Sequence, residues 1–475
     1  MEQHPYFLRE DVEPWQRDLP YNPHLALEPW PRRNEIGKAL QKKIPLESLG
    51  EYKKLENRPN PLDIIQTTNQ GRQEHLIPLR MGRMAASPFT FLRGGAAVMA
   101  WDLAQSPISG LQCVIDGDAH LNNFGLYGTP QRNVVFDLDD FDEATISAWE
   151  WDLKRLAASV NVAGRENGLS KSDRREAVIN CVSGYRENAN YLQSLRILEV
   201  WYLHHQPGET QPVFKPDAKT RKVLDKAVKK AQQRTNVTLL DKVAYRSVEG
   251  GWRFSDDPPI LTRTDDKTAE QVINSLTSYA DTLSPERAYM FQRYRVADVA
   301  HRVVGVGSVG LQAYLVMFFG NDDNDPLFLQ VKEAASSVFE PYIPSLPPEA
   351  THNGRRVVLG QRVLQATTDV LLGWTTINQR PFYVRQMKNM KGSIPIEWLK
   401  GSAFFMYARA CGTLLARAHA RGGDIAKIAG YCGTSDYFEQ VIADWAEAYG
   451  NQTEQDHEIL VKAISHGKIQ ADMGI

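Results

Sequence analysis

Polar side chains suited to phosphoryl transfer are concentrated at residues 116–123, DGDAHLNN. Asp118 is followed five residues later by Asn123. This spacing suits an aspartate that accepts a proton and an asparagine whose carbonyl oxygen holds a metal ion. An aspartate-rich turn without catalytic function is the alternative for this segment taken alone. The spacing predicts Asp118 as a general base and Asn123 as a metal ligand.

A second acidic segment follows at residues 137–143, DLDDFDE. Phosphoryl transfer concentrates negative charge, so a carboxylate must carry magnesium to the phosphates. Asp140 is the best-placed carboxylate for this role, with Asp142 as a second candidate ligand. Asp137 and Asp139 are weaker candidates. An acidic turn is again the alternative, but the two segments in this order, joined by a hairpin, favour a magnesium site.

The loop has the form Gly-Asp-x-His-x-x-Asn at residues 117–123 and closely resembles the catalytic loop of aminoglycoside and choline kinases. In such kinases an aspartate at the start of the next helix braces the loop backbone, and Asp152 resembles that aspartate. A helix-capping role is the alternative for Asp152. The resemblance implies a structural or loop-orienting role for His120, which we favour over a catalytic metal site formed with Asp118.

A glycine-rich motif, GVGSVG, occupies residues 305–310. A dinucleotide-binding fingerprint would be followed by a helix, whereas residues 312–319, QAYLVMFF, are typical of a strand. Strand, glycine loop and strand is the arrangement of the glycine-rich loop of kinases, whose backbone amides cover the nucleotide phosphates. The motif therefore predicts nucleotide contacts from Gly305, Gly307, Ser308 and Gly310.

The next strand-like stretch ends in Lys332. Kinases keep the lysine that contacts the α- and β-phosphates at this place, and a surface lysine at a strand end is the alternative. The acid that should pair with Lys332 is not evident. Glu340 is better placed than Glu333, which should point to the other face of the strand, and the predicted helix at 355–368 contains no acid.

Three arginines, Arg80, Arg83 and Arg93, precede the predicted catalytic loop. Guanidinium groups match phosphate and carboxylate geometry, so these side chains could neutralise a phosphate or an anionic acceptor. We favour structural ion pairs for them.

The elements around these residues follow from apolar periodicity and turn signals. In the first half we predict strands at 112–115, 124–128 and 133–141, a hairpin turn at 129–132, helices from 149 to about 233, a loop at 246–268 and a helix from 270. In the second half we predict strands at 302–304, 311–319 and 327–332, a helix at 355–368, strands at 370–377 and 382–386, and helices at 396–420 and from 437.

The order of these motifs differs from that of ordinary kinases, which place the glycine loop and lysine before the catalytic loop. The resemblance therefore implies an α+β, protein-kinase-like two-lobed fold that is circularly permuted, with a small β-rich lobe and a large helical lobe. The expected boundaries are an extended N-terminal arm at 1–55, a catalytic-loop segment and helical lobe at 56–245, a connecting insertion at 246–295, a β-rich nucleotide-binding lobe at 296–392 and C-terminal helices at 393–475.

Nearly the whole chain, from about residue 55 to 470, resembles the bacterial domain-of-unknown-function family 2252 and is identified as a member of it. The matching motifs include RMAASPFTFLRG at 83–94 and QTEQDH at 452–457. The name of the family carries no activity, so the kinase prediction rests on the loops themselves.

Composition and charge argue against several classes of protein. The 475-residue chain has a formal net charge of -2, whereas nucleic-acid binders usually carry a basic excess. The scattered cysteines form no Cys-x-x-Cys pair, which favours a reducing compartment. No stretch approaches the ~20 apolar residues of a membrane helix, and the first residues lack the features of a signal peptide. We expect a cytoplasmic protein with neither nucleic acid nor a membrane as partner.

The leading hypothesis is a phosphotransferase that uses ATP and Mg²⁺ and acts on an unidentified small-molecule or protein acceptor, with nucleotidyl transfer as a close variant. Asp118, Lys332 and Asp140 would be catalytic. A nucleotide-binding scaffold without activity is the second hypothesis, because Lys332 lacks an evident acid partner and no basic residue directly precedes Asp118. The third is a metal-dependent hydrolase that uses Asp116, Asp118, His120 and Asp140.

Overall fold

The computed structural model of the protein describes residues 28–204, 218–248, 250–303, 305–343, 352–387 and 390–473. These residues form a mixed α+β fold with a helical part and an antiparallel sheet. The helices are α1 (Trp30–Lys43), α2 (Leu46–Gly50), α3 (Pro61–Thr67), α4 (Ile77–Ala85), α5 (Pro88–Gly94), α6 (Ala96–Ala104), α7 (Trp149–Glu166), α8 (Lys171–Leu192), α9 (Ile197–Tyr202), α10 (Ala218–Gln232), α11 (Asn236–Val243), α12 (Asp266–Ala280), α13 (Pro285–Phe291), α14 (Asn353–Leu364), α15 (Ser402–Gly422), α16 (Ile425–Cys432) and α17 (Tyr437–Ser465). The strands are β1 (Gln112–Ile115), β2 (Phe124–Gly128), β3 (Val134–Leu138), β4 (Thr145–Ala148), β5 (Ala244–Arg246), β6 (Trp252–Phe254), β7 (Leu261–Arg263), β8 (Arg295–Arg302), β9 (Ala313–Phe319), β10 (Pro326–Glu333), β11 (Gly373–Ile377) and β12 (Arg380–Gln386).

The largest sheet is antiparallel and has the strand order β11-β12-β10-β9-β8-β7. Apolar residues at both faces of β9 and β10 explain why these strands are central: alternate side chains pack on α12 and α13 on one face and on α11 and β6 on the other. On β10, Lys332 lies opposite Ala313 of β9 and Tyr383 of β12. The sheet therefore holds this lysine between two neighbouring strands.

The helical part is built around α7, α8, α15 and α17. α8 and α15 approach each other closely because each presents a glycine to the other's backbone. A Cβ atom on Gly184 would overlap the carbonyl oxygen of Arg409, and a Cβ atom on Gly412 would overlap that of Cys181. This close contact fixes α15, which reaches the predicted catalytic loop.

Two short antiparallel pairs carry the predicted catalytic loop. β1 pairs with β4, and β2 pairs with β3 across the predicted hairpin turn, where Arg132 has a φ of 66°. Gly392 exchanges two backbone hydrogen bonds of 2.8 Å with Leu126. The segment that follows β12 therefore runs beside the β2–β3 hairpin and joins the sheet to the helical part.

Several predicted elements are confirmed, and others are wrong in position. β1 and β2 have the predicted bounds. The strand predicted at 302–304 is wrong, because β8 begins at Arg295 and ends at Arg302. Polar residues along β8, such as Asp298, interrupt the apolar pattern from which strands were predicted. Asp298 accepts a hydrogen bond of 2.7 Å from the backbone N–H of Phe254. The predicted loop at 246–268 contains the short strands β6 and β7 and the last residue of β5.

Two predicted segments contain elements that pack on the rest of the fold. Residues 1–27 of the predicted arm at 1–55 lie outside the described residues; α1 and α2 are helical, and Gly37 allows α1 to pack against the Lys427 carbonyl at α16. In the segment predicted as an insertion at 246–295, β7 is an edge strand of the large sheet and Tyr279 of α12 is buried against the sheet. Tertiary packing stabilises both segments, which their local patterns alone do not indicate.

Two further properties concern membranes and thiols. No helix within the described residues is both long and apolar enough to cross a membrane. Cys113, Cys181, Cys411 and Cys432 are free, buried thiols. Burial raises the pKa of each of them, which disfavours the reactive thiolate.

We predict that Gly412→Ala destabilises the protein by about 1–3 kcal/mol, because the added methyl group would force α15 away from α8. The midpoint of urea-induced unfolding measures this change. Gly251→Ala is the matched control, since the nearest atom to its added Cβ lies 4.0 Å away. Equal midpoints for the two variants would contradict the close packing of α8 and α15.

Candidate active site

One cleft of about 530 Å³ brings together residues that are far apart in the sequence. Its lining includes Asp118, Asn123, Asp140 and Asp142 from the segments beside the β2–β3 hairpin, and Gly305, Gly307 and Ser308 from the glycine loop. Lys332 does not line the cleft itself: its side chain is only 3% exposed and contacts the lining residue Asp142. Gly310 stands further back, where its carbonyl accepts a hydrogen bond from the Gln73 backbone.

Asp152, near the start of α7, braces the loop as predicted. Its two carboxylate oxygens accept hydrogen bonds from the backbone N–H groups of Asp116 at 2.7 Å and Gly117 at 2.8 Å. His419 of α15 lies 3.1 Å from the same carboxylate, and Tyr185 of α8 holds the other ring nitrogen of His419 at 2.8 Å. Side chains from three helices therefore fix the backbone of the loop.

Asn123 is oriented by the loop itself. Its side-chain NH₂ group donates to Asp116 Oδ2 at 2.8 Å and to the Asp140 carbonyl oxygen at 2.9 Å. These acceptors require the amide nitrogen to point inward, which leaves the amide oxygen as the atom available to the cleft. Asp116 is fully buried and serves as a support for Asn123.

Asp118 faces the cleft with a quarter of its side chain exposed, and Arg155 of α7 contacts it. The Arg155 Nε atom donates to Asp118 Oδ1 at 2.6 Å, and a second nitrogen donates to the Leu92 carbonyl oxygen at 3.0 Å. Burial raises the pKa of Asp118 to about 7, although Arg155 opposes this rise. A carboxylate with such a pKa suits a general base near neutral pH.

His120 is buried under the loop, where its ring makes an edge contact with Phe89 at a centroid distance of 6.4 Å. Burial, together with the nearby Arg93 and Arg155, holds the pKa of His120 well below its ordinary value, so the ring is neutral. Its Nε2 atom is 3.8 Å from Asp118. The position agrees with the loop-orienting role implied by the resemblance.

Asp140 has the free oxygen that a metal ligand needs. Its Oδ1 atom is buried without a hydrogen-bond partner, and the residue lines the cleft. Burial and the neighbouring Asp142 raise the pKa of Asp140. An unpartnered carboxylate oxygen inside a protein is costly unless a cation is bound.

Asp142 links the acidic segment to the sheet. One of its oxygens contacts the Lys332 ammonium and accepts a hydrogen bond of 3.1 Å from Ser308 of the glycine loop. Its other oxygen accepts a hydrogen bond of 2.9 Å from Tyr383. Although burial acts in the opposite direction, Lys332 lowers the pKa of Asp142 to about 2. Asp142 is therefore the acid partner of Lys332, and the preference for Glu340 is wrong, because Glu340 is exposed.

The weaker acidic candidates have other partners. Asp137 is buried and contacts Arg417 of α15, so it supports the fold and does not line the cleft. Asp139 is at the cleft but is paired with Lys391 at 2.8 Å. Both carboxylates therefore have a local cation already.

The glycine loop takes conformations that explain its composition. Gly305 and Gly310 have φ values of 69° and 91°, which side-chain-bearing residues rarely adopt. Two arginines from the preceding helical segments hold the loop from outside: Arg83 donates to the Gly305 carbonyl oxygen and Arg72 to that of Val309, both at 2.6 Å.

The arginines do not behave as predicted. The structure places none of Arg80, Arg83 and Arg93 in an ion pair with a described residue, so the structural ion pairs favoured above are wrong. Arg80 and Arg83 donate to carbonyl and amide oxygens instead.

Sequence reasoning also missed Arg155 and Tyr383. Arg155 follows Asp152 by one helical turn, and this spacing on α7 would have placed it on the face that meets the loop.

Comparison with known proteins gives a family without an activity. A family model described as an uncharacterized protein conserved in bacteria, DUF2252, matches residues 72–463. The chain belongs to this family. No curated protein and no solved structure matches the chain. The DUF2252 match covers the arginines, both candidate motifs and Lys332, so any function inferred for the cleft rests on its geometry.

We predict that Asp152→Ala lowers the free energy of unfolding by about 3–5 kcal/mol, because it leaves buried polar groups of the loop and α15 without their partner. Amide hydrogen exchange at residues 116 and 117 should accelerate with it. Asp241→Ala, on the exposed side of α11, is the control and should change stability by less than about 0.5 kcal/mol. Unchanged exchange at 116 and 117 would contradict the bracing role.

Proposed function

We propose that the protein is an ATP- and magnesium-dependent phosphotransferase with a circularly permuted, kinase-like organisation. The observation that carries this proposal is the contact of Asp142 with both Lys332 and Ser308. It joins the acidic segment to the phosphate-binding motifs across 190 positions of the chain. Each motif alone is weak, but their meeting in one cleft gives each of them the role that phosphoryl transfer requires.

The order of elements along the second half of the chain supports the kinase-like organisation. β8, the glycine loop, β9, β10 with Lys332, α14, β11 and β12 follow each other as in the small lobe of a kinase. α15 then occupies the place of the helix that normally precedes the catalytic loop. The Tyr407 hydroxyl of α15 donates to the Leu121 carbonyl oxygen at 2.9 Å. α15 therefore contacts the loop at 116–123 directly although the two are not consecutive in the chain, which is the arrangement that a circular permutation requires.

The cleft suits a magnesium ion shared with nucleotide phosphates. Magnesium in such sites takes one or two carboxylates and completes its shell with phosphate oxygens and water. Asp140, with its unpartnered oxygen, and Asn123 would hold the ion, and Asp142 is a further candidate ligand. When bound, the ion supplies neutralisation of phosphate charge.

The protein's own side chains have separate tasks in this proposal. Asp118 accepts the proton of the acceptor hydroxyl, and Arg155 holds its carboxylate in place. Lys332, with Ser308 and the backbone of the glycine loop, binds and orients the phosphates. Positioning and charge neutralisation are the main sources of rate enhancement in phosphoryl transfer.

The scaffold hypothesis was based on two missing residues, an acid partner for Lys332 and a basic residue directly before Asp118. Other parts of the chain supply both groups. Asp142 supplies the acid partner of Lys332 that α14 lacks. Arg155 supplies the cation beside Asp118 that is missing from the preceding sequence. Both answers favour an active site, and turnover of ATP decides between the two functions.

The hydrolase hypothesis is less well supported. The described residues include no group of three or more histidine, cysteine, aspartate or glutamate side chains arranged to hold a metal ion. Asp116, which that hypothesis requires as a ligand, has an unpartnered Oδ1 atom but is fully buried, does not line the cleft and holds Asn123 through Oδ2.

We predict that Lys332→Ala and Asp140→Ala each weaken magnesium-dependent ATP binding at least tenfold, because each removes a charged contact worth about 1.5–3 kcal/mol. Calorimetric titration of the folded full chain measures the affinity. Lys400→Ala removes an exposed lysine and serves as the control. Absence of ATP binding by the wild-type protein would overturn the phosphotransferase proposal, and ATP binding without any turnover would favour the scaffold.

We also predict that ATP turnover, with water as the acceptor, falls about tenfold per pH unit below pH 7. Protonation of Asp118, whose pKa is about 7, removes the base, whereas above that pH the carboxylate is free to accept a proton. Asp118→Asn should abolish turnover and keep ATP binding. A wild-type rate that does not change between pH 5 and 8 would show that Asp118 is not the base.

A further inference from the structure

Arg72, Arg80 and Arg93 line the same cleft as the acidic groups. They come from the helical segments between α3 and α5, which contribute none of the proposed nucleotide contacts. We call these three residues the arginine wall. The proposed function uses none of them.

The arginine wall is held by neutral groups. Arg72 donates to the carbonyl oxygens of Thr68 at 2.7 Å and Val309 at 2.6 Å. Arg80, which is 2% exposed, donates to the side chain of Asn69 and, at 3.1 Å, to the Gly94 carbonyl oxygen. The Arg93 side chain donates no hydrogen bond to any residue of the described ranges. The guanidinium groups of Arg72 and Arg80 are thus positioned by neutral acceptors, and none of the three arginines forms an ion pair with a described residue.

Several buried arginines elsewhere in the structure are paired with a carboxylate or fully hydrogen-bonded. Arg58 is paired with Asp102 and Asp456, both at 2.7 Å, and Arg417 contacts Asp137, although its Nε and Nη1 atoms have no hydrogen-bond partner. Arg356 lacks a carboxylate, but its three nitrogens all donate to oxygens. The Nε atoms of Arg80 and Arg93, like that of Arg302 outside the cleft, are buried with no hydrogen-bond partner, and the structure places neither Arg80 nor Arg93 in an ion pair with a described residue.

Buried guanidinium groups without an ion-pair partner destabilise the protein when no ligand is bound. Burial lowers the pKa of Arg80 to about 9, with Arg72 adding to the effect. Burial also lowers the pKa of Arg72 and of Arg93. Unpaired buried charge of this kind is tolerated at sites that bind a ligand of opposite charge.

The position of Arg93 relates the wall to the acceptor side of the cleft. Arg93 lines the cleft together with Asp118 and Asp140, and both carboxylates act on its charge, whereas Lys332 and Ser308 are bound to Asp142. A general base must lie within hydrogen-bond reach of the acceptor hydroxyl. A ligand that contacts Arg93 therefore lies beside the proposed base.

We propose that the acceptor is an anionic molecule whose phosphate or carboxylate group is bound by the arginine wall, with its hydroxyl directed at Asp118. This inference rests on the proposed function. Guanidinium groups bind both kinds of oxyanion in a bidentate manner. In the transfer step the acceptor oxygen forms the new P–O bond, its proton goes to Asp118, and the bond from the γ-phosphorus to the bridging oxygen breaks to release ADP.

Inorganic phosphate is the probe for this site, with acetate in a parallel titration to separate phosphorylated from carboxylated acceptors. Binding to the full chain is measured by calorimetry, alone and with a saturating, non-hydrolysable magnesium–ATP analogue. We expect Arg93→Gln to weaken binding of the better probe at least tenfold and to change nucleotide affinity less than threefold. Lys332→Ala should give the reverse pattern. Arg32→Gln, at an exposed position of α1, is the control.

Arg80→Lys is the second variant if Arg93→Gln does not fold, because it keeps the charge and loses the planar fork. It should also weaken the probe at least tenfold. Competition between the probe and the nucleotide analogue would overturn the inference, because the arginines would then bind nucleotide phosphate. Probe affinity unchanged by both variants would overturn it as well. Probe binding sensitive to Arg93, in a protein that binds no nucleotide, would overturn the proposed function and retain the anion site.

Discussion

Lys332 and Asp142 form a buried ion pair between the central strand β10 and the segment that follows the β2–β3 hairpin. Two charges removed from water are stable only when their remaining hydrogen-bonding capacity is used. Tyr383 and Ser308 complete the shell of Asp142. Because these groups come from β12 and the glycine loop, the ion pair connects the sheet, the loop and the acidic segment at one point.

The loop at residues 116–123 depends on a second buried network, which ties it to the helical part. Asp152 and His419 fix the loop backbone from α7 and α15, and the close packing of α8 on α15 fixes His419 in turn. Buried polar networks of this kind define a geometry when every member is satisfied. The loop side chains that face the cleft are therefore oriented by groups that do not line it, which explains why a short polar segment can hold a defined shape.

Local signals in the sequence were enough for the elements that carry the motifs. Apolar runs bounded by turn residues gave β1, β2 and β9, and the motif spacings placed Asp118, Asn123 and Lys332 in or beside one cleft. The partner of Lys332 could not be found in this way. The acid was expected close to Lys332 in the sequence, whereas Asp142 lies far from it in the chain and meets it only through tertiary packing. Local patterns also failed to indicate α1 and β8, for the same reason. α1 is stabilised by its contact with α16, and polar residues of β8 form hydrogen bonds with a neighbouring strand.

The charges around the cleft explain why acids and bases from so many segments meet there. Burial and the neighbouring Asp142 raise the pKa of Asp140, and burial raises the pKa of Asp118 to about 7, so both carboxylates are protonated more easily than free ones. Lys332, Arg385 and Arg155 oppose this rise without contacting Asp140 Oδ1. The acidic side of the cleft keeps one carboxylate oxygen without a partner, and the arginines of the cleft keep N–H groups without an acceptor. The cleft can therefore bind a cation and an anion. A cation-bound polyphosphate and an anionic acceptor together match that capacity, whereas a neutral ligand would leave both sets of charges uncompensated.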